Sequence, residues 1–374
     1  VAVQLVGKDE LRLNRAKAVD RPGPHQMLAR VEAVGLCFSD LKLLKQFDEH
    51  VRKSEVVSGL SPEALAEIPS YVPGARPTVP GHEVVCEIVA VGPDVRHHRV
   101  GERCLVQADY RELKTAGANA AFGYDFEGGL QQYVLLDERV VVEPSTGERL
   151  LIPVGQGLSA AAVALAEPWA CVEDSYVTPE RRAIKAGGRL LIVCDPGRQA
   201  QGLEAAFDPA GGPAEVVRLS REEALSGRLD GLDDESFDDI VYCGADAGVI
   251  EKLDAKLASR GVVNVVTGGA RIGRAVSVRI GRVHYGMTRW IGTAGRDAAA
   301  AYRMVPANGE LRPGDAVAVV GAGGPMGQMH VLRAVSCGLE GVSVVAADVD
   351  DARLEALRAK AEPLARAADV PLRL

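Results

Sequence analysis

The run from Asp315 to Asp348 limits what this chain can fold into more than any other. Ala316-Val-Ala-Val-Val320 has the apolar continuity of a buried strand. It enters Gly321-Ala-Gly-Gly-Pro-Met-Gly327, which opens a helix expected to reach about Cys337, and a second strand, Val342 to Ala347, ends at Asp348. Strand, glycine turn, helix, strand and acid make the opening third of a nucleotide-binding fold. Small residues let the backbone approach a pyrophosphate, and the helix directs its free N–H groups and positive dipole end at it. The spacing Gly321-x-Gly323-Gly324-x-x-Gly327 holds one residue more than the usual fingerprint. Either the turn is wider, or the working set is Gly321, Gly324 and Gly327. The expected cofactor contacts are Gly321, Gly323, Gly324, Met326 and Gly327, although Met326 and Met329 are otherwise ordinary packing residues of a helix. Asp348 can accept both ribose hydroxyls, which favours NAD over NADP, whose 2′-phosphate it would repel.

The same alternation occurs once before. Arg189-Leu-Leu-Ile-Val-Cys194 is a buried-strand run, with a helix expected over Gln201 to Phe207. Strands at Glu215 to Leu219, Asp239 to Cys243 and Gly261 to Val266, with a helix from Ala247 to Ala258, complete a parallel, doubly wound pattern. Its turn, Cys194-Asp-Pro-Gly-Arg198, places Asp195 where a phosphate would sit, and Pro196 removes an N–H donor. This earlier unit is expected to bind cofactor poorly and to serve as a structural or docking domain.

Residues 1 to about 150 read instead as a strand-rich domain, in short apolar runs broken by Gly, Pro and Asp turns. Met27 to Val34, Val84 to Val91, Arg103 to Gln107 and Gln132 to Leu136 are the main strands. Lys45 to Arg76 is a charged, proline-rich excursion containing a capped helix, with Ser61 as N-cap and Pro62 at its first position. It is expected to be a surface excursion, or else a lid or subunit contact. Two short stops in this region carry chemistry. Gly35-Leu-Cys-Phe-Ser-Asp40 ends a strand on a thiol, and Pro77-Thr-Val-Pro-Gly-His-Glu83 sets an imidazole beside a carboxylate after a proline-bounded turn. Thiolate, imidazole and carboxylate are the donors of an open catalytic zinc site.

Composition removes several alternatives. A net charge of -8 argues against a nucleic-acid surface. Seven cysteines without a C-x-x-C pair make a disulfide framework improbable and favour a reducing cytoplasm. No apolar run is long enough to span a membrane, and no basic-then-apolar segment opens the chain. The chain starts at Val1, inside a strand pattern, and stops at Leu374 in mid-pattern, so it is expected not to be whole.

Val31-Glu-Ala-Val-Gly-Leu-Cys-Phe-Ser-Asp40, Gly81-His-Glu83, Ala90-Val-Gly92, Val100-Gly-Glu-Arg103, Gly128-Gly129 with Tyr133, and Ala166-Glu-Pro-Trp169 together resemble the zinc-dependent medium-chain alcohol dehydrogenase superfamily. The set spans most of residues 28 to 170 and is closest to the polyol and threonine dehydrogenase type. Gly-Pro-Met-Gly-Gln-Met-His330 looks most like the sorbose-phosphate reductase branch. The resemblance implies an α/β chain that opens on a GroES-like β-domain (1–175); the degenerate Rossmann-like domain (176–306) and the second, incomplete Rossmann unit (307–374), read from the strand and helix pattern, depart from the family plan, which has a single such unit. The resemblance carries zinc ligation onto Cys37, His82 and Glu167, with Glu83 as a supporting or exchanging carboxylate and Cys171 as a rival ligand. Ser39 takes the proton-relay position, but the histidine that often continues the relay is missing, because Lys42 and Lys45 occupy that stretch. Cys104 alone lies between Gly101 and Phe126, so a four-cysteine structural zinc is not expected. His97 and His98 are expected at the surface. The implied activity is hydride transfer between NAD and a secondary alcohol of polyol, sugar-alcohol or amino-alcohol type, with a small-molecule substrate and other copies of the chain as partners, in a dimer or tetramer. The rival reading is a catalytically silent NAD-binding or assembly module; a zinc-free quinone-reductase-like enzyme would lack the thiol and Gly-His-Glu.

Overall fold

In the computed structural model, which describes residues 1–374 apart from the Tyr285 side chain, contacts divide the chain into two compact units. Val1–Asp174 joins Arg312–Leu374 in the first, and Ser175–Leu311 forms the second.

After an antiparallel hairpin of Ala2–Gly7 and Glu10–Asn14, the first unit forms a five-stranded antiparallel sheet. Strands β1 (Gln26–Gly35), β2 (Glu83–Val91), β3 (Arg103–Val106), β4 (Tyr133–Asp137) and β5 (Leu151–Pro153) lie in the order β5-β3-β2-β1-β4. Helix α1 (Phe38–Gln46) follows β1 directly, and helix α2 (Ala166–Val177) closes this part of the sequence. The core is built from alternate residues of the strands, among them Met27, Ala29, Val84, Cys86, Ile88, Cys104 and Val134. β1 and β2 pair with Gly35 opposite Glu83. That register decides which acid faces the end of β1, because a slip of one residue would turn Glu83 to the other face.

In the second unit, β6 (Arg189–Cys194), β7 (Glu215–Ser220), β8 (Phe237–Cys243), β9 (Leu257–Val266) and β10 (Arg289–Thr293) form one parallel sheet, in the order β7-β6-β8-β9-β10. Leu190 to Val193 are buried throughout, as a strand covered on both faces requires. Helix α3 (Ala247–Lys256) is capped by the Asp246 carboxylate, which accepts from the Gly248 and Val249 N–H groups. The helix expected over Gln201 to Phe207 is only a 3₁₀ turn, Leu203–Ala206, opened by the left-handed Gly202. The acid-rich loop before β8 is held by Lys252 on Asp230 and Lys256 on Asp234.

The chain then returns to the first unit. β11 (Ala316–Val320), β12 (Ser343–Ala347) and β13 (Leu372–Arg373) form a three-stranded parallel sheet, crossed by α4 (Pro325–Val335) and α5 (Asp351–Ala367). α5 runs six residues beyond the expected end, through Pro363. Val320 and Val345 are exposed, so this sheet is not covered on both faces as its sequence suggests.

The Lys45–Arg76 excursion contains the expected helix, Pro62–Ala66, with Ser61 Oγ accepting from the Ala64 N–H. It is also anchored inward. Lys53 is fully buried and donates to the carbonyl oxygens of Val72 and Arg76, and Asp125, also fully buried, lies near enough to interact with its charge. Burial pushes the Asp125 carboxyl up to about 8, while its backbone donors and Lys53 act against the shift. A folded-state value raised from 3.8 contributes stability that is present at low pH and lost as pH rises towards about 8. Asp125→Asn should therefore flatten the unfolding midpoint across that window, whereas the wild type should decline; thermal unfolding at several pH values checks this.

Candidate metal and cofactor site

Cys37 sits where β1 ends, in extended backbone, and serves as N-cap of α1. Three residues on, Asp40 Oδ2 accepts the Cys37 N–H at 2.9 Å. Its other oxygen, Oδ1, accepts the Gly81 N–H at 3.2 Å. One carboxylate thereby joins two turns that are far apart in sequence. Gly81 has a φ of +95°, and a Cβ there would meet Val34 Cγ2 at 2.8 Å, so only glycine suits this turn.

The turn delivers His82 and Glu83, both buried. Ligand atoms of Cys37, His82 and Glu83 all lie within 4.8 Å of one another. His82 Nε2 is 3.3 Å from Ser39 Oγ. His82 Nδ1 is 3.3 Å from Asp40 Oδ1, but the two are not aligned for a hydrogen bond, which leaves Nδ1 buried and unpartnered. The Glu83 carboxylate occupies space that a side chain at Gly35 would take, since a Cβ there would fall 1.9 Å from Glu83 Oε2. Glycine at that position is thus a condition of the carboxylate's placement.

The electrostatics are those of a cation site. A hydrogen bond to His82 lowers the Cys37 thiol against the opposing effect of burial. Burial disfavours the charged imidazole, yet Asp40 and Cys37 together push His82 up to about 10. Burial raises Glu83, and it raises Glu167 on α2, whose carboxyl also feels Glu83 and Asp40. A thiol and three carboxyl groups around one imidazole repel one another when ionised, and a divalent cation removes that repulsion. The donor set and the unpartnered imidazole nitrogen fit zinc. Glu167 interacts with this group through charge, while the converging trio among the described residues is Cys37, His82 and Glu83. Cys171 is exposed, and partial desolvation with the Glu167 charge raises its thiol to about 11.

Three side chains around the site were not singled out from the sequence. Asp40 stood in the motif without a role. The Tyr124 ring lies 5.7 Å from His82, and the His50 ring 5.0 Å from Tyr124. Burial raises the Tyr124 hydroxyl to about 12, with Ser39 acting in the opposite direction. His50 belongs to the charged excursion, and no spacing in the sequence connects it to Ser39. His98 is a correction: it is buried, with Nδ1 2.9 Å from Glu138 Oε1, because Glu138 also accepts the N–H groups of Arg96 and His97 and draws the loop inward. His97 is exposed.

The glycine turn lies in the same unit as the donor trio. Gly321 has a φ of +77°. A Cβ at Gly327 would approach Gly321 O to 2.2 Å, and one at Gly323 would meet Arg353 Cβ at 2.5 Å. Gly324 is the N-cap of α4, and a Cβ there would meet Gly321 O at an ordinary 3.4 Å. Glycine is therefore required at Gly321 by its φ and at Gly323 and Gly327 by crowding. Asp348 Oδ2 accepts the Gly323 N–H at 2.9 Å, which places its carboxylate beside the turn. Met326 is exposed at the start of α4, whereas Met329 is buried.

Residues 23–146 match the family model described as the alcohol dehydrogenase GroES-like domain. The chain is 24% identical to a mannitol-1-phosphate 5-dehydrogenase of Aliivibrio fischeri, over 86% of this chain and 80% of that protein. It is 23% identical to an L-sorbose 1-phosphate reductase of Klebsiella pneumoniae, over 79% of this chain and 75% of that protein. Among solved structures, the 2R,3R-butanediol dehydrogenase of Bacillus subtilis is similar with a TM-score of 0.37 and 16% identity, covering 85% of this chain and 92% of that one.

Proposed function

We propose that this chain, whose residues 23–146 match the alcohol dehydrogenase GroES-like domain, is a zinc-dependent medium-chain oxidoreductase moving a hydride between NAD and a secondary alcohol of polyol, sugar-alcohol or amino-alcohol type. The observation that carries this reading is the convergence of the Cys37, His82 and Glu83 donors within 4.8 Å, with Glu167 beside them. Cys37 and His82 would hold the zinc, and Glu83 and Glu167 are the carboxylates available to complete or exchange its coordination. When bound, zinc supplies Lewis acidity for a hydroxyl oxygen, and the nicotinamide supplies the two-electron acceptor.

The chain's own residues orient the site and move the proton. Asp40 fixes the Cys37 and Gly81 backbones and stands against the His82 ring. The Ser39 hydroxyl, 3.3 Å from His82 Nε2, would take a proton from the substrate side. Tyr124, whose hydroxyl stays neutral at physiological pH, and the neighbouring His50 offer a continuation in place of the histidine absent from the usual stretch. At the glycine turn, Gly321, Gly323 and Gly327 keep the surface low for a pyrophosphate. Asp348 presents a carboxylate to a ribose and opposes a 2′-phosphate.

The test is metal content and cofactor binding on one full-length preparation, with a screen of polyols and their phosphates. About one zinc per chain is expected, with NAD bound more tightly than NADP. Asp348→Arg should move that preference towards NADP by roughly tenfold or more, as a charge reversal beside a phosphate does. Folded protein that holds neither zinc nor nicotinamide would remove the enzyme reading and leave a binding or assembly module.

A further inference from the structure

The parallel sheet of the second unit has the order β7-β6-β8-β9-β10, so the direction in which successive strands are added reverses between β6 and β8. In open sheets of this kind, ligands enter the crevice at the carboxyl ends of the strands beside such a reversal. A cavity of about 340 Å³ lies there, with Cys243 from the end of β8 among its lining residues. The sequence led us to expect that Asp195 would repel an anion at this turn. The structure turns that carboxylate away: Oδ1 accepts the Tyr242 hydroxyl at 2.7 Å, and Oδ2 the Ala245 N–H at 3.3 Å.

What lines the cavity is positive. Arg198 and Arg296 converge on Gly268, where an added Cβ would meet Arg198 Nη1 at 2.7 Å and Arg296 Cγ at 3.6 Å. Arg198 spends one Nη1 donor on the Thr267 carbonyl oxygen, which fixes the guanidinium and leaves its other N–H groups available. Arg296 is exposed and has no ion pair among the described residues. In a chain of net charge -8, whose arginines mostly face carboxylates, two such guanidinium groups around one hollow are unusual. Gln199 and Gln201 add neutral amides, and the described lining residues include neither an acid nor an aromatic ring.

We propose that this hollow is a second small-molecule site, which takes a phosphate monoester of sugar size. Guanidinium forks match phosphate oxygens in pairs, and the amides suit hydroxyl groups. The volume accommodates a small metabolite, and the absence of a ring to stack on disfavours a nucleobase. The site's lining residues all lie within Ser175–Leu311, whereas Cys37, His82 and the glycine turn belong to the other unit.

The experiment is calorimetric titration of full-length protein with glucose 6-phosphate at low ionic strength. Saturable binding is expected, with inorganic phosphate competing and unphosphorylated glucose giving no heat. Arg296→Glu should weaken binding roughly tenfold or more, since a charge-assisted pair is lost and a repulsion added. Because Arg296 is exposed and has no ion pair among the described residues, the variant's unfolding midpoint should stay at the wild-type value, and Arg296→Gln should show an intermediate loss. Cys37→Ser should retain the binding, which separates this site from the metal centre. No saturable heat in the wild type, equal affinity in Arg296→Glu, equal binding of glucose, or loss in Cys37→Ser would each overturn the proposal.

Discussion

Cys37→Ser is expected to lose its zinc, and with it at least about a thousandfold in kcat/KM. The thiol is already drawn towards its anion by the hydrogen bond to His82, whereas a serine hydroxyl stays protonated and is a poor zinc donor. A Lewis acid contributes several kcal/mol to stabilising a developing oxyanion, and each 1.36 kcal/mol is tenfold in rate, which sets the scale of the loss. Elemental analysis of the variant beside the wild type, followed by initial rates on the best polyol substrate, measures both. A serine variant that kept stoichiometric zinc and normal turnover would show that the donor trio is not the metal centre.

The second large effect is on stability. Gly81, Gly123 and Gly128 bring three stretches of main chain together under the His82 turn. A Cβ at Gly128 would stand 2.3 Å from Gly81 O, 2.6 Å from Gly123 Cα and 2.9 Å from Pro80 O. These are backbone atoms, so no flexible side chain can swing aside, and the turn itself must move. Gly128→Ala should cost about 2–4 kcal/mol in denaturant unfolding and weaken zinc affinity at the same time, because the displaced turn carries His82. Gly155→Ala is the control: nothing lies within 4 Å of its Cβ and its φ is not positive, so it should unfold like the wild type. Equal stability of the two variants would refute the steric argument.

Much of this was legible in the sequence for physical reasons. A strand buried on both faces must be apolar at every position, and Arg189–Cys194 was bounded correctly on that basis. The glycine turn and its flanking strands were equally plain. The sequence did not reveal which glycines were irreplaceable, since that depends on which backbone comes near: Arg353, 30 residues past Gly323, decides one of them. Nor could spacing show that Glu83 would converge with Cys37, because the strand register and the Gly35 vacancy place it there. His50, His98 and Asp195 share one cause. Each takes its setting from a partner at least 40 residues away, Tyr124, Glu138 and Tyr242 in turn, and local pattern carries no trace of such partners.

The Asp40 carboxylate, which holds the Cys37 and Gly81 N–H groups at once, has a consequence for how the site is assembled in time. Cys37 and His82 are 45 residues apart (82 − 37), so closing that loop is entropically costly and must be driven by the pairing of β1 with β2. Until Gly35 has found Glu83 in register, Asp40 has no second turn to grip and the donors do not converge. Metal capture should therefore trail sheet formation in refolding, and a zinc-sensitive dye would report the arrival of correct register instead of the first collapse of the chain.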